Sequence, residues 1–339
     1  MGAALAAALV LVLTAAGCGG EDDGAADRPP PPARPADFPK VGGGKTLAEL
    51  RKEVGAEGPV LSPSVSQLEP GTNRFGFGLF DRARSQIADA PVAVYVAPVG
   101  GGAAQGPFVA RSKSLAVKPQ FQSSSVASDP DAAKSLYVSQ PEFSRPGRYE
   151  VVGVARLDNR LVAATSAGPA LTVLKDSRVP EVGERAPRTS TPTKADAGGN
   201  LSQIDTRRPP STMHDVDFAD VVSRRPAILI FSTPALCTSR VCGPVVDVAE
   251  QVKARRSGDA AFVHMEIFRN NEIDQGYRPQ VLEWKLPTEP WLFAVDRRGR
   301  VAARLEGAFS AEELERAVDA AVKGERADLL RRAPDAARR

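Results

Sequence analysis

Histidine, cysteine and aromatic side chains are all scarce in this chain. Two histidines and three cysteines stand among 339 residues, and aromatics make up 6%. Two histidines leave little with which to build an imidazole metal site, and three cysteines cannot form a dense disulfide framework. Charge of one sign is missing too: the net charge of +3 is small and dispersed, which argues against nucleic acid as a partner. The apolar run over residues 3–16 is too short to span a bilayer. The 29 prolines and 29 glycines are clustered, so they mark linkers more than folds.

The first seventeen residues carry no charge and suit the core of a signal peptide. They end Leu13-Thr-Ala-Ala-Gly-Cys18, which resembles the lipobox of bacterial lipoproteins, although Ala15 stands where leucine is usual. The resemblance implies that Cys18 is lipidated and becomes the mature N-terminus. The expected location is therefore the extracytoplasmic face of the cell membrane, held there by lipid. Outside the cytosol free thiols tend to oxidise. With Cys18 acylated, Cys237 and Cys242 are left as the natural disulfide pair.

Residues 18–45, rich in proline and then glycine, read as a flexible tether. A helix over 46–54 follows, with Leu47, Leu50 and Val54 on one side. From there to 175 the period is two: strands are expected over 60–68, 74–80, 91–97, 148–157, 160–166 and 169–174. Asp158-Asn159 joins two of them as a hairpin would. The stretch Pro146-Gly-Arg-Tyr149-Glu resembles the tyrosine-bearing entry to a late strand of immunoglobulin-like sandwiches, which implies an all-β sandwich over 46–175. Nothing in that region pairs charged groups as catalysis requires. Residues 176–223 read as a low-order linker, and 325–339 as a tail.

Residues 224–324 carry the clearest pattern: strand 226–232, helix 244–256, strand 260–268, short helix 278–284, strands 290–295 and 300–305, and a last helix. Val245, Val248 and Val252 form one stripe of the first helix. The last helix opens on the capping box Ser310-Ala-Glu-Glu313 and stops at Gly324. Cys237 and Cys242 lie where the first strand hands over to the first helix. A helix start offers unpaired N–H groups and a positive dipole end, which favour thiolate over thiol.

Two further motifs carry a resemblance. Val182-Gly-Glu-Arg-Ala-Pro187 is similar to the opening of redoxin domains, and Leu286-Pro-Thr-Glu-Pro290-Trp resembles the thioredoxin-superfamily stretch in which a cis-proline faces the active-site cysteine. The order βαβαββα is also that of the thioredoxin fold. The resemblance covers roughly 180–324 and implies an α/β thioredoxin-like domain with a redoxin lead-in within 176–223. It further implies a cis bond at Glu289–Pro290, with Pro290 leaving a backbone edge free for a substrate strand.

Thioredoxins space their cysteines by two residues, whereas four intervene here. Residues five apart in an ideal helix are about 8.5 Å from each other, beyond the roughly 7 Å that a disulfide tolerates. Either Cys237 precedes the helix or the first turn unwinds on oxidation.

The favoured expectation is thiol–disulfide exchange on protein thiols, with Cys237 reacting first, Cys242 resolving and Pro290 positioning the partner. No cofactor and no metal are needed. The main alternative is a non-catalytic binding scaffold with a structural Cys237–Cys242 bridge. A peroxiredoxin-like peroxidase needs a hydroxyl three residues before its nucleophile, where Pro234 stands, and an arginine where Pro290 stands. A copper chaperone needs a histidine beside its thiols. His264, on a core strand, reads as structural, which leaves His214, in a polar loop, as the better ligand.

Overall fold

The computed structural model describes residues 32–55, 58–327 and 329. The expected signal peptide and lipidated Cys18 lie outside the described residues. All that follows concerns the compact unit that begins at residue 33. Among the described residues no helix is long and apolar enough to cross a membrane.

Helix α1 (Leu47–Val54) starts as its sequence dictates. The Thr46 hydroxyl accepts from the Glu49 N–H, and the Glu49 carboxylate accepts from the Thr46 N–H at 2.8 Å. Strands β1 (Val60–Pro63), β2 (Gly71–Thr72), β3 (Phe75–Phe80), β4 (Val92–Pro98) and β5 (Gln105–Val109) follow. After β6 (Arg111–Ser114) the chain leaves the sheet, makes the short helix α2 (Ser124–Ser128) and returns in β7 (Ser135–Ser139). Strands β8 (Glu142–Phe143), β9 (Gly147–Leu157), β10 (Arg160–Ser166) and β11 (Leu171–Val173) complete the region.

The strands fall into two groups around one core, as a sandwich arranges them: β6, β7 and β3 in one group and β5, β4, β9 and β10 in the other, with Phe77 and Tyr137 sharing a core with Val94 and Val151. Strand β1 pairs in parallel with β10 and antiparallel with β3. It thereby joins the two halves into one nine-stranded sheet running β5-β4-β9-β10-β1-β3-β7-β6, with β11 on β9. The tyrosine-bearing strand entry read from the sequence is also present: the buried Tyr149 donates its hydroxyl proton to the Arg145 carbonyl at 3.0 Å. Both faces of β4 are buried. Val92, Val94 and Val96 join Phe75 and Phe77, while Ala93, Tyr95 and Ala97 meet Leu47 and Leu50 of α1. That double burial explains why β4 reads as an unbroken apolar run. The second core also takes Phe38, and the Tyr95 hydroxyl donates to the Pro39 carbonyl at 2.7 Å, so the expected tether is packed before residue 45.

The rest of the chain contains α3 (Phe218–Val221), β12 (Ala227–Phe231), α4 (Cys242–Arg256), β13 (Ala261–Met265), α5 (Pro279–Glu283), β14 (Trp291–Val295), β15 (Val301–Glu306) and α6 (Ala311–Lys323). Its sheet runs β13-β12-β14-β15, with β12 and β13 parallel and the other pairs antiparallel. Alternate residues of β12 face opposite ways. Ile228 and Ile230 pack with α4 and α6, and Leu229 and Phe231 pack with Trp284 and Phe218. This mixed sheet, covered on both faces, matches the expected thioredoxin-like order.

The expected linker 176–223 is irregular but not loose. Thr189, Thr191, Asp205, Arg207, Ser211 and His214 are buried polar residues within it, and each bonds to neighbouring segments. The β region and the α/β region are likewise one body. Arg74 pairs with Glu313 at 2.7 Å, with both side chains nearly buried. The Glu306 carboxylate accepts from Ser66 N–H, the Ser66 hydroxyl, Gln67 N–H and the Thr288 hydroxyl. Leu115 and Leu136 of the β region enter the core under α4 and α6.

Candidate functional site

The site begins where β12 ends. Ser232 donates its hydroxyl proton to the Cys242 carbonyl at 3.1 Å, which ties the strand end to the first turn of α4. The chain then turns through 233–236, Cys237 follows, and Arg240 takes a positive φ of 55° before the helix starts at Cys242. Cys237 and Cys242 are joined by a disulfide with a Cα separation of 5.9 Å. Of the two geometries open to the sequence, the first therefore holds: Cys237 precedes the helix. Cys242 is fully buried and Cys237 half-buried. Val241, at the N-cap, gives α4 no side-chain cap, so its first N–H groups keep their field for the sulfurs.

Cys237 opens into a groove of about 950 Å³, and the opposite wall is unexpected. It comes from α2, in the excursion between β6 and β7, a stretch whose polar sequence gives no period to read. Several bonds hold this excursion along α4. The Asp247 carboxylate accepts from the Ser123 N–H at 2.9 Å and from Arg207 at 2.8 Å, and Gln251 accepts from the Lys118 N–H. Burial, the largest influence on Asp247, pushes its carboxyl above the usual range, and these donors only partly offset it. Val126 sits so close to the helix that a Cβ on Gly243 would come within 2.7 Å of its methyl. Arg240, within the cysteine loop, pairs with Asp129 and Asp131 just beyond α2.

The excursion also explains why α4 shows no clean stripe. Residues from Cys242 to Val252 are all buried, and the polar ones among them are bonded to the covering segments. Val245, Val248 and Val252 share a core with Ile228 and Ile230 of the sheet; what covers the rest of the helix is invisible from their spacing.

Pro290 has the expected cis bond after Glu289. Since Phe231 pairs with Trp291, Pro290 lies at the same end of the sheet as the cysteine loop. It is buried, its carbonyl accepts from the Gly307 N–H at 2.8 Å, and it does not line the Cys237 groove. Burial raises the pKa of the neighbouring Glu289 carboxyl.

Both histidines lie in a buried cluster with Asp205. One oxygen of Asp205 meets His214 Nε2 at 2.9 Å and His264 Nδ1 at 3.2 Å, and accepts the Ser211 N–H at 2.7 Å. His264 Nε2 donates to the Ser232 carbonyl at 3.1 Å, so the expected structural role of His264 holds. Burial would lower the His264 pKa, but the charge and hydrogen bond of Asp205 outweigh it and raise it to about 9. For Asp205, burial pushes upward, yet His264 and His214 hold the carboxyl well below the usual range. His214 does lie in an irregular polar stretch, yet it is buried, and its Nδ1 has no partner. The three ligand atoms lie within 4.8 Å of one another, the spacing of a possible metal site. The carboxylate is already filled by donors, however, and a metal on His214 Nε2 would leave a buried Nδ1–H without the outer acceptor such ligands use. The cluster is a buried, hydrogen-bonded Asp205–His264 pair with His214 bonded to the same carboxylate.

The arrangement is that of a thioredoxin-like sheet bearing a strand-to-helix disulfide, with one sulfur accessible and one enclosed. No protein-family model matches the chain, and no curated protein does. Among solved structures it is similar to one from Chlorobium tepidum assigned as the thiol:disulfide interchange protein DsbE. That likeness has 17% identity and a TM-score of 0.31, over 42% of this chain and 99% of the other. What the site can do rests on its own geometry.

Proposed function

We propose that this protein is a membrane-anchored, extracytoplasmic thiol–disulfide oxidoreductase acting on protein thiols. The observation that carries the reading is the unequal pair: Cys237 faces an open groove while Cys242 is sealed at the helix start. A partner thiolate attacks Cys237 Sγ, a new S–S bond forms, and the Cys237–Cys242 bond breaks to leave a Cys242 thiolate beside uncapped N–H groups. A second partner thiolate then attacks the partner sulfur of the mixed disulfide and releases Cys237 as thiolate. The partner is oxidised by two electrons, the cysteine pair is reduced by two, and the protons of the two partner thiols pass to solvent or to the new cysteine thiolates. No cofactor enters this cycle. The lipobox-like sequence ending at Cys18 supports the location, and the oxidised pair fits a compartment outside the cytosol.

A second reading, a binding scaffold with a structural bridge, draws on the Arg240 clamp that ties the cysteine loop to Asp129 and Asp131. The reduction potential separates them. A value between roughly −270 and −120 mV supports exchange, and one below about −300 mV marks a structural disulfide and overturns the catalytic reading. In parallel, Cys242→Ser should trap a mixed disulfide on Cys237.

A further inference from the structure

The groove over Cys237 is a composite, and its charges are unequal. Three charged residues line it: Asp129, Arg208 and Arg240. Arg240 and Asp129 neutralise each other, with Asp131 adding a second carboxylate. The Arg208 side chain is exposed, and it has no hydrogen-bond or ion-pair partner among the described residues. Its backbone is nonetheless fixed, because the Arg208 carbonyl accepts both the N–H and the hydroxyl proton of Ser124 at the start of α2. Arg208 therefore stands at one end of the α2 wall and the Arg240–Asp129 pair at the other. Apolar surface lies in the same groove, from the half-buried Leu236 and from Ile273, which is 56% exposed.

We propose that the excursion between β6 and β7 is the substrate-selecting wall of the exchange site, and that its occupant is an extended polypeptide whose cysteine is flanked by acidic residues. This rests on the exchange reading above and adds to it a substrate class. The groove runs past Cys237, is open to solvent and is several times the size of one residue, which suits a stretch of chain better than a small thiol. An acidic side chain beside the partner cysteine meets the unpaired guanidinium of Arg208, while apolar neighbours cover Leu236 and Ile273. The β region thus acts by shaping what reaches Cys237.

The test uses the oxidised full chain and two dithiol peptides, identical except for glutamates or lysines beside the cysteines. Single-turnover oxidation of each peptide is followed by acid quench and alkylation, for wild type and for Arg208→Glu. Taking the wild-type to variant ratio for each peptide cancels that peptide's own thiol reactivity. The glutamate peptide should lose about three- to tenfold in Arg208→Glu at low salt, an effect of the size of one or two exposed charge pairs. The lysine peptide should gain or stay level, and the contrast should shrink at about 0.5 M salt. Arg208→Gln should fall between the two. Equal ratios for both peptides overturn the acidic-substrate proposal and leave exchange standing. If mercaptosuccinate, a small carboxylate-bearing thiol, reacts as fast as the glutamate peptide with the same Arg208 dependence, the polypeptide occupant is overturned. No oxidation of either peptide by wild type defeats the exchange reading itself.

Discussion

The Asp205–His264 pair predicts how stability depends on pH. His264 is wholly buried, and Asp205 holds its imidazolium to a pKa of about 9 against an ordinary value near 6.5. The folded state therefore binds a proton that the unfolded chain releases earlier. The resulting stabilisation is fully present below pH 6.5 and is lost as pH rises through 9. Its size follows from the difference between the two values, about 3 kcal/mol at 1.36 per unit. A body of roughly 300 residues has an unfolding entropy near 0.6 kcal/mol per kelvin, so Tm should fall by about 5 °C across that window. Because the chain has only two histidines, their ring protons can be followed by NMR and assigned with a single His214→Gln variant. One ring should titrate near pH 9. In His264→Gln the alkaline fall in Tm should largely disappear. A His264 midpoint at or below 6.5, or an unchanged alkaline fall in the variant, would refute the reasoning.

Other consequences concern how the two regions are held together. Arg74→Ala leaves the Glu313 carboxylate buried without its partner and should cost about 3–5 kcal/mol in urea unfolding. Glu306→Ala strands four donors from Ser66, Gln67 and Thr288, so a loss of about 2–4 kcal/mol is expected, read as a shift in the urea midpoint. Gly243→Ala drives a methyl into Val126 and should destabilise by about 1–3 kcal/mol; adding Val126→Ala should recover most of it, and a double-mutant cycle without coupling would exclude that contact as the cause.

The α/β region was legible because its signals are local and agree with one another. Ser310 and Glu313 form the expected box, Gly324 ends the helix in the left-handed region at φ 68°, and Pro290 is cis. The β region was less legible for a nonlocal reason. Alternation places β1 in a sheet but cannot say that it pairs with β10 on one side and β3 on the other. Strands β5, β6 and β7 escaped because Gln105, Arg111, Ser112 and Ser135 put polar residues where apolar alternation would have marked a strand. The stretch 176–223 looked like a linker because its buried groups are polar, and hydrophobicity does not register Asp205 or Arg207 as core. Arg208 and Arg240 could not be ranked from sequence, since one charge among many is distinguished only by whether a carboxylate sits beside it.

The cysteine spacing and the β region make sense together. A pair two residues apart could both sit in the first turn of α4, with no residue free to leave it. With four residues between them, Cys237 is placed ahead of the helix and Thr238–Val241 become a loop, in which Arg240 adopts a left-handed backbone. That conformation lets the loop do two things at once: its ends close the disulfide, and its middle reaches Asp129 and Asp131. Exposed ion pairs contribute little to stability, about 0–1 kcal/mol each, so the clamp matters more for where it holds the loop than for how strongly. It fixes Cys237 against a wall that a thioredoxin-like sheet by itself does not possess. The longer loop and the excursion between β6 and β7 are therefore two parts of one device, and selectivity at Cys237 depends on both.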